Sequence, residues 1–387
     1  MRLQDFQKKN QGEEMRIGIV VHGPNIIDSG YALKLIDLIN EYGDVSVRLG
    51  GTMGRTAVID KSLENVIDIS RKLVPSDSLK IFHDDNVDVI FLLNYGKSST
   101  TGQVFGYKVY THYENKIADN NIPVIQIERP GEKDGSVINW ACKSDLACEF
   151  ADKLNLKIVT PEEIYETHIK DDEKSESRRT IHGVSPGENI MVNGVVIGKS
   201  TSDKLILVSK DGRIVEIVGG EIKPHGIEKL GEVDLGSAIV KTGLLRKAKV
   251  TPRVLDNEKS SEFKVAFLDH AGEDVYRFRN HSVVITIGDD TTLIASDILY
   301  RFSIPIMGIT DGDLDKVVES GFKSKNSVIF EVESGNDDII GGEIHKLIFK
   351  NENELVNSAD FKSIDDLEKK IIEIINNRNI KYKINRI

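Results

Sequence analysis

Cysteine is almost absent from this chain: 387 residues include two, Cys142 and Cys148. A spacing of six matches no CxxC metal or redox motif, and on a helix residues i and i+6 point to different faces. A local disulfide and a shared thiolate metal are therefore disfavoured, and the thiols are expected to be buried or half-buried in a reducing compartment. Long apolar runs are also missing. The longest, such as Val89–Leu93, fall far short of the roughly 20 residues that span a bilayer. Residues 1–14, MRLQDFQKKNQGEE, lack the apolar core of a signal peptide. They read as a polar tail, with Met15 opening the folded part. No membrane partner and a cytoplasmic location are expected.

Positive charge is in deficit. Lys and Arg total 51 against 62 Asp and Glu, a net charge of −11. Tight sequence-independent nucleic-acid binding relies on cations displacing counterions from phosphates, so a nucleic-acid partner is weakened. Nine histidines are scattered with no HxH or HExxH, which disfavours a histidine-held hydrolytic metal. His225 and His270 sit in suggestive turns but read as turn or core residues. No GxSxG is present, so no serine triad can be assigned. Gly96-Lys97-Ser98 ends like a Walker A loop, but the position that needs the first glycine is Phe91. Gly194…Gly198-Lys199-Ser200 has too few intervening residues and lies in a hairpin. A P-loop ATPase is excluded.

What is present is an α/β pattern. The length divided by a typical domain size gives about 2.6, so two or three domains are expected. Residues 15–160 alternate apolar strands and helical stripes, as in a parallel, Rossmann-like sheet. The strands are Arg16–Val21, Val45–Leu49, Val87–Leu93, Pro123–Ile127 and Leu156–Thr160; Tyr31–Glu41 and Trp140–Leu154 read as helices. Residues 161–180 form a charged linker or exposed helix. Residues 181–253 lose helical periodicity. Asn193-Gly194 and Asp211-Gly212 between apolar runs signal two hairpins, so a small β-rich domain is expected. Residues 262–387 return to α/β, with strands at Phe263–Leu268, Val283–Ile287, Pro305–Ile309 and Val328–Val332 and a late amphipathic helix at Ile364–Ile375.

In parallel sheets, ligands sit beyond the carboxyl ends of the strands. After the first strand, Asp28 or Ser29 is placed to cap a helix. After the second, Gly51, Thr52, Gly54 and Arg55 suit close backbone approach to phosphate or carboxylate. After the third come Lys97 and Ser98. These loops are either ordinary tight turns or a shared anion site at one sheet edge. Glu128 and Arg129, after the fourth strand, read as exposed turn charges. In the last domain, Asp289 and Asp290 follow one strand, and Asp311, Asp313 and Asp315 follow the next. Five carboxylates across two loops exceed what helix capping needs. They would repel unless a cation neutralised them, and oxygen ligands suit Mg²⁺ or Mn²⁺. A solvated acidic face is the other reading. Asp269 and Glu273 offer further carboxylates, and Arg301, Lys316 and the basic stretch Lys241–Arg253 offer cations for phosphate.

The run VVITIGDDTTLIASDILYRFSIPIMGITDGDLD resembles the core of a Toprim domain, with Gly288, Thr291, Leu299, Arg301, Asp311, Gly312 and Asp313 in the family's places. The resemblance implies a Toprim-like C-terminal fold, Mg²⁺ at the Asp-x-Asp pair, and a catalytic glutamate for which Asp269 and Glu273 are the candidates. Neither stands in that family's Glu-Gly context. The segment Pro305…Asp315 also resembles the metal loop of thiamin- and pterin-type pyrophosphokinases. Across nearly its full length, through VVHGPNIIDSG, LGGTMGRTAVID, VSPGENIMVNGVVIGK, KPHGIEKLG and GDDTT…GITDGD, the chain resembles an archaeal family of unknown function found mainly in methanogens. That resemblance implies a cytoplasmic archaeal protein and supplies no activity. The expectation is Mg²⁺-dependent phosphoryl or nucleotidyl transfer at the acidic C-terminal site, or else a non-catalytic module that binds a small phosphorylated or anionic ligand. The oligomeric state is not legible.

Overall fold

The structure, a computed structural model, describes residues 14–51, 53–119, 121–170, 177–243, 246, 250–256, 262–270, 274–312 and 321–387. The first sheet is built from β1 (Met15–His22), β2 (Gly43–Gly50), β3 (Val89–Asn94), β4 (Val124–Glu128), β5 (Ser136–Ala141) and β6 (Lys157–Val159). Their order is β2-β1-β3-β4-β5-β6. The first four run parallel. Every residue of β3 and β4 is buried, the burial expected of strands covered on both faces. Helices α1 (Tyr31–Asn40), α2 (Gly54–Asp60), α3 (Pro75–Asp84), α4 (Ser99–Glu114) and α5 (Asp145–Leu154) cover it.

Several expectations are corrected here. Trp140 and Ala141 belong to β5, a strand antiparallel to β4, and not to a helix. The helix starts only after Ser144, whose hydroxyl accepts the Leu146 N–H at 3.3 Å. Cys142 and Cys148 are exposed. Neither Asp28 nor Ser29 is the N-cap of α1: Gly30 holds that position in a left-handed conformation, Ser29 ends the short helix Asn25–Asp28 while its hydroxyl accepts the Tyr31 N–H at 3.4 Å, and Asp28 pairs with Arg246. The expected linker carries a short helical turn, Pro161–Ile164, that widens into a π-turn over Tyr165–Ile169. Its Ile164 and Ile169 join the core around Trp140.

The middle region holds two small antiparallel sheets, β11-β10-β7 and β12-β9-β8-β13. Their strands are β7 (Arg178–Ile181), β8 (Asn189–Val192), β9 (Val195–Ser200), β10 (Leu205–Lys210), β11 (Arg213–Val218), β12 (Gly220–Ile222) and β13 (Val240–Thr242). Both two-residue hairpins form. Asn193 and Gly194 take φ of 48° and 87°, and Asp211 and Gly212 take 51° and 73°, the left-handed pair a type I′ turn requires. Helix α6 (Pro224–Leu230) follows β12.

The last sheet has the order β18-β14-β15-β16-β17-β19. Its central strands β14 (Lys264–Leu268), β15 (Val283–Ile287), β16 (Ile306–Thr310) and β17 (Val328–Val332) are parallel. Antiparallel β18 (Glu354–Val356) and β19 (Tyr382–Arg386) close its edges. Helices α7 (Asp289–Tyr300), α8 (Asp337–Leu347) and α9 (Ile364–Asn377) pack on it. In α9 the buried residues are Leu367, Ile371, Ile374 and Ile375, one stripe at helical spacing. Each fully buried side chain of this size contributes about 2 kcal/mol. The chain is thus an α/β protein with a β-rich middle. Among the described residues no helix is long and apolar enough to cross a membrane.

Helix α2 ties the two ends of the chain together. Residues Gly54–Ile59 are all buried. Ala57 and Val58 enter the first core, whereas Ile59 packs with Ile294, Ile298 and Met191. A helix buried all round fits an element wedged between layers.

Candidate functional site

Parallel register sets the first site. His22 pairs with Gly50 on one side and Asn94 on the other, and Asn94 pairs with Glu128. The carboxyl ends of β2, β1, β3 and β4 therefore form one row. His22 Nδ1 and Asn94 Oδ1 are 2.7 Å apart. Asn94 Nδ2 donates to Glu128 Oε2 at 2.7 Å. Gln126 Nε2 donates to the same oxygen at 2.8 Å, and the Gly96 N–H donates to Oε1 at 2.7 Å. Trp140 Nε1 closes the far end on Gln126 Oε1 at 3.0 Å. Glu128 is fully buried, so its reading as an exposed turn charge is corrected. Burial pushes its carboxyl above the ordinary range, opposed by the donors Gly96, Asn94 and Gln126. Two glycines of α4 make room for this buried polar line. A Cβ on Gly102 would sit 1.9 Å from Glu128 Cδ, and one on Gly106 1.7 Å from Gln126 Oε1.

The His22 ring stacks on Phe105 with centroids 3.9 Å apart and planes 16° apart. Burial lowers its pKa to about 4; the Asn94 bond opposes this, and Lys241 lowers it further. The imidazole is neutral at pH 7. Lys241 lies on β13, which is anchored over this edge: Lys97 Nζ donates to Thr242 Oγ1 at 2.9 Å and pairs with Glu188 at 2.8 Å. The Lys241 side chain is accessible to solvent, yet the protein around it strips part of its hydration. That loss, and then Lys72, lower its pKa.

The residues expected to bind an anion are only partly gathered here. Gly51 flanks His22: a Cβ there would lie 3.5 Å from His22 Cδ2. Ser98 caps α4 by accepting the Thr101 N–H at 3.2 Å. Gly54 lets α2 start against Leu49, where a Cβ would come within 2.7 Å. Arg55 pairs with Asp274 at 2.7 Å and lies over the Tyr276 ring. Arg301 is buried and bonded to Asp60 and Asp297. Thr52 lies outside the described residues. Of the basic stretch, Arg246 is spent on Asp28 and Asp60, and Arg253 on Glu64. Among the described residues, Lys241 has no ion-pair partner. Sequence reasoning missed His22 and Asn94, although both stand at the ends of predicted strands, the one signal that pointed to them.

The second candidate is the carboxyl edge of the last sheet. β15 and β16 are neighbours, so Asp289 and Asp290 at the head of α7 lie one strand from Asp311. Asp311 Oδ2 accepts the Gly335 N–H at 2.8 Å. Burial raises Asp337 to about 6, helped by Asp311 and Asp338. The middle region supplies opposing charge. Asp290 accepts from Asn189 at 3.2 Å and lies 3.8 Å from Lys223. Asp338 bonds His225, with Lys229 at 3.7 Å. The Asp269 carbonyl accepts from Lys229 at 2.8 Å, and its carboxylate lies 3.8 Å from His270. Glu273, Asp313, Asp315 and Lys316 lie outside the described residues. Among the described residues, no group of three His, Cys, Asp or Glu is placed to hold a metal, so the described carboxylates alone do not fit a divalent cation.

Fold and sites together define an α/β protein whose β-rich middle covers the carboxyl edges of two parallel sheets. Residues 19–352 match the family described as "Uncharacterized protein conserved in archaea (DUF2117)", and the chain belongs to that family. It is 45% identical over 379 residues to the "Uncharacterized protein MJ0065" of Methanocaldococcus jannaschii, covering 95% of this chain and 99% of that protein. No solved structure matches the chain.

Proposed function

We propose that this protein binds a small anionic ligand, phosphorylated or otherwise, where β13 meets the carboxyl edge of the first sheet. The observation that supports this reading is Lys241: an ammonium without an ion-pair partner among the described residues, with Lys72 and His22 near it, at the edge where parallel sheets take ligands. The like charges of Lys241 and Lys72 repel, and an anion relieves that repulsion. The test is thermal unfolding of the full chain with inorganic phosphate and with ATP, in wild type and Lys241→Met. A ligand at 100 times its Kd adds about 2.7 kcal/mol. The wild type is expected to rise in Tm and the variant not to. Equal responses would sink the reading.

One observation favours a second reading, Mg²⁺-dependent phosphoryl or nucleotidyl transfer at the acidic edge of the last sheet. Asp337 is held near 6 partly by Asp311 and Asp338, the carboxylate crowding that a cation would relieve. When bound, Mg²⁺ would supply charge neutralisation at a transferring phosphoryl group. Asp311 and Asp313, with Asp289, Asp290 and Asp315, are the proposed holders. Mg²⁺ or Mn²⁺ should raise the Tm of the wild type, and the double variant Asp311→Asn, Asp313→Asn should lose the response. An identical response in both makes the edge a solvated acidic face.

A further inference from the structure

We propose that His22 Nε2 is a fixed hydrogen-bond acceptor that makes this edge select oxyanions that can still present a proton, phosphate and phosphomonoesters, over sulfate. The inference rests on the anion-binding reading above and names the ligand class for that site.

The tautomer follows from the chain of donors. Glu128 accepts from Gly96, Gln126 and Asn94. Because the Asn94 amide nitrogen is turned to Glu128, its carbonyl oxygen is the atom that faces His22 at 2.7 Å. An oxygen without hydrogen can only accept, so Nδ1 carries the proton. In a neutral imidazole the other nitrogen then carries the lone pair. The stack on Phe105 holds the ring plane. Glycine at position 51, with φ of 100°, leaves the approach to that nitrogen without a side chain; a Cβ there would stand 3.7 Å from Nε2. Among the described residues no donor meets Nε2.

An anion that settles here must present negative charge to Lys241 and a hydrogen to Nε2. Phosphate and phosphomonoesters lose their second proton close to neutrality, with a pKa of about 6 for the esters, so a fraction of each still carries a proton at pH 7, roughly a tenth for an ester. Sulfate does not, and its oxygen lone pairs would face the lone pair of Nε2. Protonating the ring would remove the conflict, but burial and Lys241 oppose it. With sulfate in place, Nε2 would exchange a hydrogen bond from water for a contact between two acceptors.

The test is binding of inorganic phosphate and of sulfate to the full chain at pH 7 and constant ionic strength, by calorimetry, with the His22 ring nitrogens followed by ¹⁵N NMR. Phosphate is expected to bind at least about tenfold more tightly than sulfate, a difference of about 1.4 kcal/mol. The Nε2 resonance should move with phosphate. His22→Gln, whose amide can turn a donor to the ligand, should bring the two anions to within about threefold. Thermal unfolding of His22→Gln beside the wild type, together with the wild-type Nε2 resonance, guards against reading misfolding of the variant as lost selectivity. Glycerol phosphate in a parallel arm separates the two sources: tighter binding than inorganic phosphate assigns the site to esters, weaker binding to the free ion. If phosphate and sulfate bind equally to wild type and both depend on Lys241, the selectivity is overturned while the anion site stands. If neither binds, both fall.

Discussion

Asp60 grips Arg301 through two bonds, from Nε at 2.8 Å and from Nη2 at 2.7 Å. The pair joins the end of α2 to the residue just after α7, and both side chains are almost fully buried. Arg246 Nη1 shares Asp60 at 2.7 Å, and the Arg253 N–H donates to it at 3.0 Å. Burial works against charge on Arg301, but the Asp60 bond and the field of Asp297 hold its pKa above the ordinary value.

Removing one partner of such a pair strands a buried charge. Asp60→Asn should lower stability by about 3 to 5 kcal/mol in urea unfolding. Adding Arg301→Met should cost less than the sum of the two single losses, because the guanidinium left with Asp297 as its one carboxylate partner is gone. Strict additivity would mean the bond carries no coupling.

Three helix glycines should part company. Gly102→Ala and Gly106→Ala drive a methyl group into Glu128 and Gln126, and each should destabilise by at least about 1–3 kcal/mol, the cost of overpacking. Gly342→Ala, on the exposed face of α8 with nothing within 4 Å of the new carbon, should stabilise by about 0.5–1 kcal/mol. Chemical denaturation of the three variants checks the contrast.

His22 gives a signed pH dependence. Its folded pKa is depressed to about 4 from 6.5, so its contribution is complete above 6.5 and drains as pH falls towards 4. The loss reaches about 3 kcal/mol at most. His22→Gln should flatten that part of the stability curve, leaving the acid slope that His112, His168 and His281, also depressed by burial, retain. A curve unchanged in slope between pH 6.5 and 4 would contradict the buried neutral ring.

Asp337 runs the other way. Its folded pKa stands near 6 against 3.8, so its charge costs stability that sets in above about pH 4 and is complete above 6. Asp337→Asn should gain about 1–2 kcal/mol at pH 7, less what its carboxylate gives the N-terminus of α8, and little at pH 4. Asp311→Asn should pull the Asp337 titration to lower pH, which carboxyl NMR would follow directly.

Local pattern determined much of this molecule. The run Val89–Leu93 and the strands at Val283–Ile287 and Pro305–Ile309 are legible because apolar runs bounded by turn residues specify buried strands. Asn193-Gly194 and Asp211-Gly212 specify their hairpins because few residue pairs accept left-handed φ twice. The carboxyl edges worth searching followed from the same pattern.

Tertiary structure decided the rest, because pairing and burial are non-local. Whether SVINWA becomes a strand depends on β4 offering an edge. Whether Glu128 is a solvated turn charge or the buried end of a relay depends on Gly102 and Gly106 passing over it. The row His22, Asn94, Glu128 exists only because three separate strands share one parallel register. Arg55, Arg246 and Arg301 looked like free cations until α2 brought Asp60, and Asp274 came across from the other end of the chain. An ionisable side chain states its charge in the sequence; which charge faces it, and with how little water, is settled by residues hundreds of positions away.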